Sequence, residues 1–314
     1  MNKVVVLGGG TGLSFLVKGL KDFPLDLTCV ISVSDDGSST GKLRKEFLMP
    51  AVGDIRKVLS NMSTLSPELQ NIMENRFKTK SDLDGHAVGN LLLTSLYTQT
   101  KSLRKSIKLM SELLDVKKNV LPLSEDYLTL VAEMEDGTTV EGEHFITESH
   151  RHIKSVHYKE EVEVLPEVLD AIKEADLIIL SIGSLYTSVI PNLIPDSVKK
   201  AIDKSKGEVL YVANAMTEPG ETDKLKVSDH INILNKYLGK KKITTVVASN
   251  TKIDKKLIKK YQDDENKDPV KIDKGKLKKM NVNLIESSLI TTKDGTIKHD
   301  SLKLSALIFA HLMR

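Results

Sequence analysis

The sequence predicts an α/β protein: a doubly wound, mostly parallel sheet with a small inserted β element. Three observations predict it. Short β-branched apolar runs are continuous rather than alternating, helical patterns lie between them, and polar glycine-containing turns follow most of the runs. Continuous apolar strands are those of a sheet whose two faces are both covered by helices. Alternation of strand and helix then makes the sheet parallel. A chain of 314 residues, 40% hydrophobic and 28% charged, has the composition of an ordinary globular protein and the length for a large core. Residues 1–314 read as one such domain, with an antiparallel β element inserted at 122–165.

In chain order, the expected buried strands are Val4–Leu7, Leu27–Val33, Leu177–Ile182, Val209–Ala213 and Ile243–Ala248. Helical spacing of apolar residues appears over Leu13–Lys21, Ile55–Met62, Val88–Tyr97, Leu103–Leu114 and Val198–Asp203, and again over Ser301–Met313 at the C-terminus. The rhythm breaks in the middle. Leu128–Glu133 and Thr138–Glu143 partly alternate around Glu135-Asp136-Gly137, which is a hairpin signal, and Ile153–Tyr158 supplies a third strand. The lysine-rich stretch Lys252–Lys279 is interleaved with acids and reads as a solvated helical surface.

Composition also excludes function classes. Forty-six Lys and Arg against forty-three Asp and Glu leave a net charge of +3, without the basic stripe of a nucleic-acid binder. The single cysteine, Cys29, rules out an internal disulfide and a cysteine-based zinc site, and it sits in an apolar run as a core thiol. No apolar stretch approaches the ~20 residues of a membrane span, and the opening apolar run is too short for a signal peptide. The expectation is a cytoplasmic protein with neither nucleic acid nor membrane insertion among its partners.

Five turns carry the candidate chemistry. Val4–Leu7 leads into Gly8-Gly9-Gly10-Thr11-Gly12 and a helix from Leu13. Glycines let a ligand approach the backbone, and a helix start offers free N–H groups and a positive dipole end to a phosphate. A tight turn without ligand is the bland alternative. Leu13 stands where the dinucleotide fingerprint has its third glycine, so phosphate is favoured over a nicotinamide dinucleotide. Next comes Ser34-Asp35-Asp36-Gly37-Ser38-Ser39 at the end of the second strand. Its paired acids suit either a ribose hydroxyl or Mg²⁺ beside a phosphate, or simply an Asx-rich turn. Gly53-Asp54-Ile55-Arg56 offers one more acid and base, or a plain N-cap.

The remaining turns are Asp84–Leu92, Gly183–Pro191 and Asn214–Thr222. His86, near a helix start, fits an acid–base or phosphate-contacting role or a structural one. Gly183, Ser184, Tyr186, Thr187 and Ser188 resemble a second anion-binding turn. All five should face one crevice. No hydrolase elbow, Cys–His pair or zinc-spaced histidine cluster is recognisable, so nothing names a nucleophile.

These residues also carry a family resemblance. Gly8–Leu13, Asp35–Ser39, Gly53–Arg56, Gly85–Leu93 with His86 and Asn90, Gly183–Ser188, and Met216–Thr222 occur in order along nearly the whole chain. It resembles the YvcK-like gluconeogenesis factors, relatives of the CofD phospholactate transferases. The resemblance implies a Rossmann-like core, a cytoplasmic location, a nucleotide-sugar ligand such as UDP-N-acetylglucosamine, a role in cell shape during growth on gluconeogenic carbon, and a homodimer. It places ligand loops at Gly9–Gly12, Asp35–Ser39, Gly183–Ser188 and Asn214–Thr217, including Met216. Tyr261 and Lys298-His299-Asp300 match further family positions, with Lys298 replacing an arginine and Ser181-Ile182 replacing Gly-Pro. A lysine there gives a point charge instead of a bidentate fork.

Two main readings follow. One is a regulatory UDP-sugar binder. The other is a CofD-like transferase in which Asp35 and Asp36 hold Mg²⁺ against the nucleotide phosphates; the low aromatic content, 4% with no Trp, weighs against a deazaflavin acceptor. An NAD-dependent dehydrogenase is a third, disfavoured by the glycine spacing.

Overall fold

A computed structural model describes residues 1–314, the side chain of Asp294 excepted. The chain begins β1 (Lys3–Gly8), α1 (Gly10–Leu20), β2 (Asp26–Ile31), α2 (Ser38–Phe47), α3 (Gly53–Met62), α4 (Pro67–Glu74), α5 (Val88–Thr100), α6 (Leu103–Leu113) and β3 (Asn119–Pro122). It continues through β4 (Leu130–Met134), β5 (Thr139–Glu141), α7 (Glu143–Ser149), β6 (Ile153–Tyr158), α8 (Pro166–Glu174) and β7 (Leu177–Leu180). It ends with α9 (Asp196–Lys204), β8 (Glu208–Val212), α10 (Val227–Tyr237), β9 (Thr245–Ser249), α11 (Lys255–Glu265), α12 (Lys274–Lys279), β10 (Asn283–Ser287), β11 (Ile290–Thr291), β12 (Lys298–His299) and α13 (Ser301–Leu312).

Seven strands form one sheet in the order β10-β9-β8-β7-β1-β2-β3, and every neighbouring pair is parallel. The chain winds outward from β1 to β3, then returns to lay β7 on the other side of β1. That reversal is a topological switch point, where doubly wound sheets bind ligands beyond the carboxyl ends of their strands. β1 and β7 are apolar and fully buried from Val4 to Leu7 and from Leu177 to Leu180, so the switch point rests on the centre of the core.

The inserted β element is a three-stranded antiparallel sheet, β5-β4-β6. Its hairpin is shorter than expected: the second strand ends at Glu141, and Glu143 opens α7 instead. The insertion is tied to the β2–α2 loop. Arg44 donates to the carbonyls of Ser34 at 2.8 Å, Asp35 at 3.1 Å and Leu128 at 2.6 Å, and stacks 4.3 Å over Tyr127. Asp36 Oδ1 accepts the His144 N–H at 2.8 Å, capping α7 from a distant loop.

Of the lysine-rich stretch, α11 buries no residue and α12 only Leu277, as a solvated surface requires. The C-terminal helix α13 buttresses α1, with Ser301 Oγ donating to the Phe15 carbonyl at 2.7 Å. No helix is long and apolar enough to cross a membrane among the described residues.

Candidate functional site

The site begins where β1 ends. Gly10 takes a left-handed φ of +65°, which turns the chain into α1 without a Cβ penalty. Gly12 has a different reason to lack a side chain: a Cβ there would lie 2.2 Å from the Ile182 carbonyl oxygen. The first turn of α1 therefore lies directly on the chain leaving β7. Across the gap, Asn214 at the end of β8 clamps Gly183. It accepts the Gly183 N–H at 3.2 Å and donates to its carbonyl at 2.7 Å.

Between these walls lies a cleft of about 340 Å³, lined by Gly9, Thr11, Gly12, Gly183, Asn214 and Lys267, together with Ser184, Ser188, Met216 and Tyr261. Lys267 is its cation, held between Glu218 at 3.1 Å and Glu265 at 3.2 Å. Tyr261 accepts the Ile297 N–H at 3.0 Å and so fixes the β11–β12 hairpin over the opening. His299 also lines the cleft; burial pushes its pKa down to about 4, against a hydrogen bond to the Ala213 backbone.

Acids gather on one side of this cleft. Asp54 accepts the Gly10 N–H through Oδ2, and Oδ1 takes Lys57 Nζ at 3.1 Å. Burial raises the Asp35 carboxyl, and Asp54 adds to the rise, opposed by the Gly37 N–H and by Lys57. Glu143 keeps some solvent contact, but its carboxyl is enclosed with Asp35, Asp54, Asp36 and Glu221 and is pushed well above the usual range, by burial first. Glu221 accepts from Ser184 Oγ and from the Tyr186 N–H, yet burial lifts its pKa to about 7. Among the described residues no three His, Cys, Asp or Glu side chains are grouped as a ready-made metal site.

A family model described as 2-phospho-L-lactate transferase CofD matches residues 4–290. The chain belongs to the CofD family. It is similar to the gluconeogenesis factor of Bacillus subtilis, with 39% identity over 98% of this chain and 96% of that one. The gluconeogenesis factor of Halalkalibacterium halodurans is likewise 39% identical, over 97% of this chain and 95% of its own length. A crystal structure of a UPF0052 family member from Bacillus halodurans superposes with a TM-score of 0.94 at 38% identity, covering 98% of this chain and 99% of that one.

In this CofD-family chain the five turns do not share one crevice. Gly9, Thr11, Gly12, Gly183, Ser184, Ser188, Asn214, Met216 and Tyr261 meet in the switch-point cleft. Asp35, Ser38, Ser39 and Asn90 line a second cleft of about 170 Å³ between α2, α3 and α5, and His86 contacts its wall through Ser39 Oγ at 2.9 Å. The split follows from topology: α3 and Asp54 stand between the end of β1 and the start of α2.

Other expected residues have structural occupations. Leu13 is fully buried, Asp36 caps α7, and Thr187 bonds Ser184. Tyr186 is buried against Glu221. Thr217 pairs with the Asp268 backbone at 2.7 and 2.9 Å. Lys298 is exposed, while its neighbours Ile297 and His299 line the cleft. Sequence reasoning passed over Lys57, Glu143, Glu221 and Lys267. Only Glu221 lay inside a turn already singled out; the others sit in a helix face, a supposed hairpin end and a lysine-rich stretch, where no local pattern marks them.

Proposed function

We propose that the switch-point cleft binds a nucleotide sugar, a UDP-sugar such as UDP-N-acetylglucosamine, and that the protein acts as a cytoplasmic sensor of it supporting cell shape on gluconeogenic carbon. The observation that carries this reading is the meeting of the α1 N-terminus with the Asn214-clamped Gly183 turn at the β1/β7 reversal. The start of α1, with the Thr11 and Gly12 N–H groups and the positive end of the helix dipole, suits a diphosphate. Lys267 adds a point charge, and the hydroxyls of Thr11, Ser184 and Ser188 suit sugar and ribose. A homodimer belongs to the same reading. Calorimetric titration of the purified protein with UDP-N-acetylglucosamine and with UDP tests it: saturable one-site binding is expected, and no heat with any nucleotide sugar would sink it.

One observation favours the transferase alternative, namely the enclosed acids beside Gly10. Mg²⁺ is usually held by one or two carboxylates and the phosphates of its substrate; in this reading Asp35 and Asp36 would hold it, with Asp54 beside them. When bound, the ion would neutralise charge on a leaving phosphate. The protein's own part is to orient the diphosphate along α1. Nucleotide release on mixing a guanosine phospholactyl donor, a deazaflavin acceptor and Mg²⁺ would favour this reading over the sensor.

A further inference from the structure

The switch-point cleft is built from two unlike parts. In one, Gly9 and Gly12 pack against Ser188 and the Ile182 carbonyl, and the start of α1 offers a seat suited to phosphate. The other is made by the chain after β8, from Asn214 to Met216, and by the β11–β12 hairpin with Ile297 and His299. Tyr261 accepts the Ile297 N–H and His299 bonds the Ala213 backbone, so the hairpin is tied down on two sides. Met216, Tyr261 and Ile297 line this part with apolar surface, the kind of wall that takes the flat face of a nucleobase.

His299 gives this wall its one directional polar group. It is only 6% exposed, and its imidazole has a fixed orientation. The Ala213 N–H is spent on the Val247 carbonyl at 2.9 Å, so the bond to His299 is made by the Ala213 carbonyl, and the imidazole donates. Burial pushes the pKa of the ring down to about 4, which leaves it neutral at physiological pH. A neutral imidazole that donates from one nitrogen is an acceptor at the other. Neither ring nitrogen is a sealed atom without a partner, so the acceptor opens on the cleft that His299 lines.

We propose that His299 is a specificity-determining residue that reads the base of the bound nucleotide, its free ring nitrogen accepting the ring N–H that uracil and guanine carry beside a carbonyl. Cytosine and adenine have an unprotonated nitrogen at the corresponding place. They would set a lone pair against the lone pair of His299 and leave both groups without a partner in a site closed to most water, which is costly. Uracil and guanine are the bases of the two readings given above. The inference therefore rests on a nucleotide occupying this cleft, and not on which of the two readings holds.

Calorimetry on the full chain with UDP, N3-methyl-UDP and CDP tests it, using wild type and His299→Phe, with circular dichroism to check that the variant folds. Wild type should prefer UDP to each of the other two by about tenfold or more, the cost of a buried polar group left unpaired. His299→Phe should lose that preference by weakening UDP alone. A purely structural histidine would weaken all three nucleotides together, and that result would overturn the proposal. So would a UDP preference that survives in His299→Phe, or equal affinity of wild type for UDP and N3-methyl-UDP, a comparison that needs no variant. These outcomes leave nucleotide binding itself standing, whereas wild type that binds none of the three would overturn the proposal together with the reading on which it rests.

Discussion

Replacing Glu221 with Gln should stabilise the protein at pH 8 and leave it nearly unchanged at pH 4. Glu221 is 8% exposed, and burial lifts its pKa from an ordinary 4.5 to about 7. Between those two values the folded state holds a proton that the unfolded chain has released. Stability therefore falls as pH rises through that window. Each pH unit of the shift corresponds to about 1.36 kcal/mol, so the whole is on the order of 3 kcal/mol. Glutamine keeps an oxygen for Ser184 Oγ and the Tyr186 N–H, the two donors Glu221 now serves, but never ionises. Urea unfolding of both proteins at half-unit steps from pH 4 to pH 8 reads the difference directly. The gain should open between pH 4.5 and 7 and then level off. A gain independent of pH, or a loss at pH 8, would refute the reasoning by showing that the carboxylate is stabilised where it sits.

Other substitutions test the geometry of the cleft and its supports. Gly12→Ala drives a Cβ to within 2.2 Å of the Ile182 oxygen; it should cost about 3 kcal/mol, the upper range for overpacking, and nucleotide-sugar binding should disappear in the same calorimetric titration. Asn214→Ala removes both bonds to Gly183 and should lower stability by about 2 kcal/mol while weakening UDP-sugar binding more than tenfold; unchanged affinity would show that the clamp does not shape the site. Gly19→Ala and Gly275→Ala form a contrast in thermal melting. A Cβ at Gly19 meets Ser305 Oγ and the Ser301 carbonyl at 2.4–2.5 Å, whereas nothing lies within 4 Å of one at Gly275 in α12. The first should destabilise, and the second should raise stability by about 0.5–1 kcal/mol through better helix propensity.

Much of the fold was legible because burial on both faces leaves its mark in local sequence. Val4–Leu7 and Leu177–Leu180 are continuous apolar runs, and the glycines after the first announce a turn into a helix. β3 and β10 are the two edges of the sheet and escaped notice. Asn119–Pro122 is only four residues long with an exposed end, and Asn283–Ser287 is mostly half-buried, so neither shows an apolar run. That the glycine loop and the Asn214 turn would line one cleft was readable, since strand ends in such sheets point the same way. The division into two clefts was not. It depends on Asp54 reaching back from α3 to Gly10, a contact across forty-four positions in the chain. Glu143 and Lys267 reach the site from an insertion and a solvated helical segment, and tertiary packing alone gives them their neighbours.

The double grip of Asp54 ties the start of α1 to α3. One oxygen holds the first N–H of α1, the seat that the proposed nucleotide phosphate would claim, and the other holds Lys57 on α3. A phosphate seated there would have to displace or share that carboxylate, and Lys57 is the side chain whose partner would change with it.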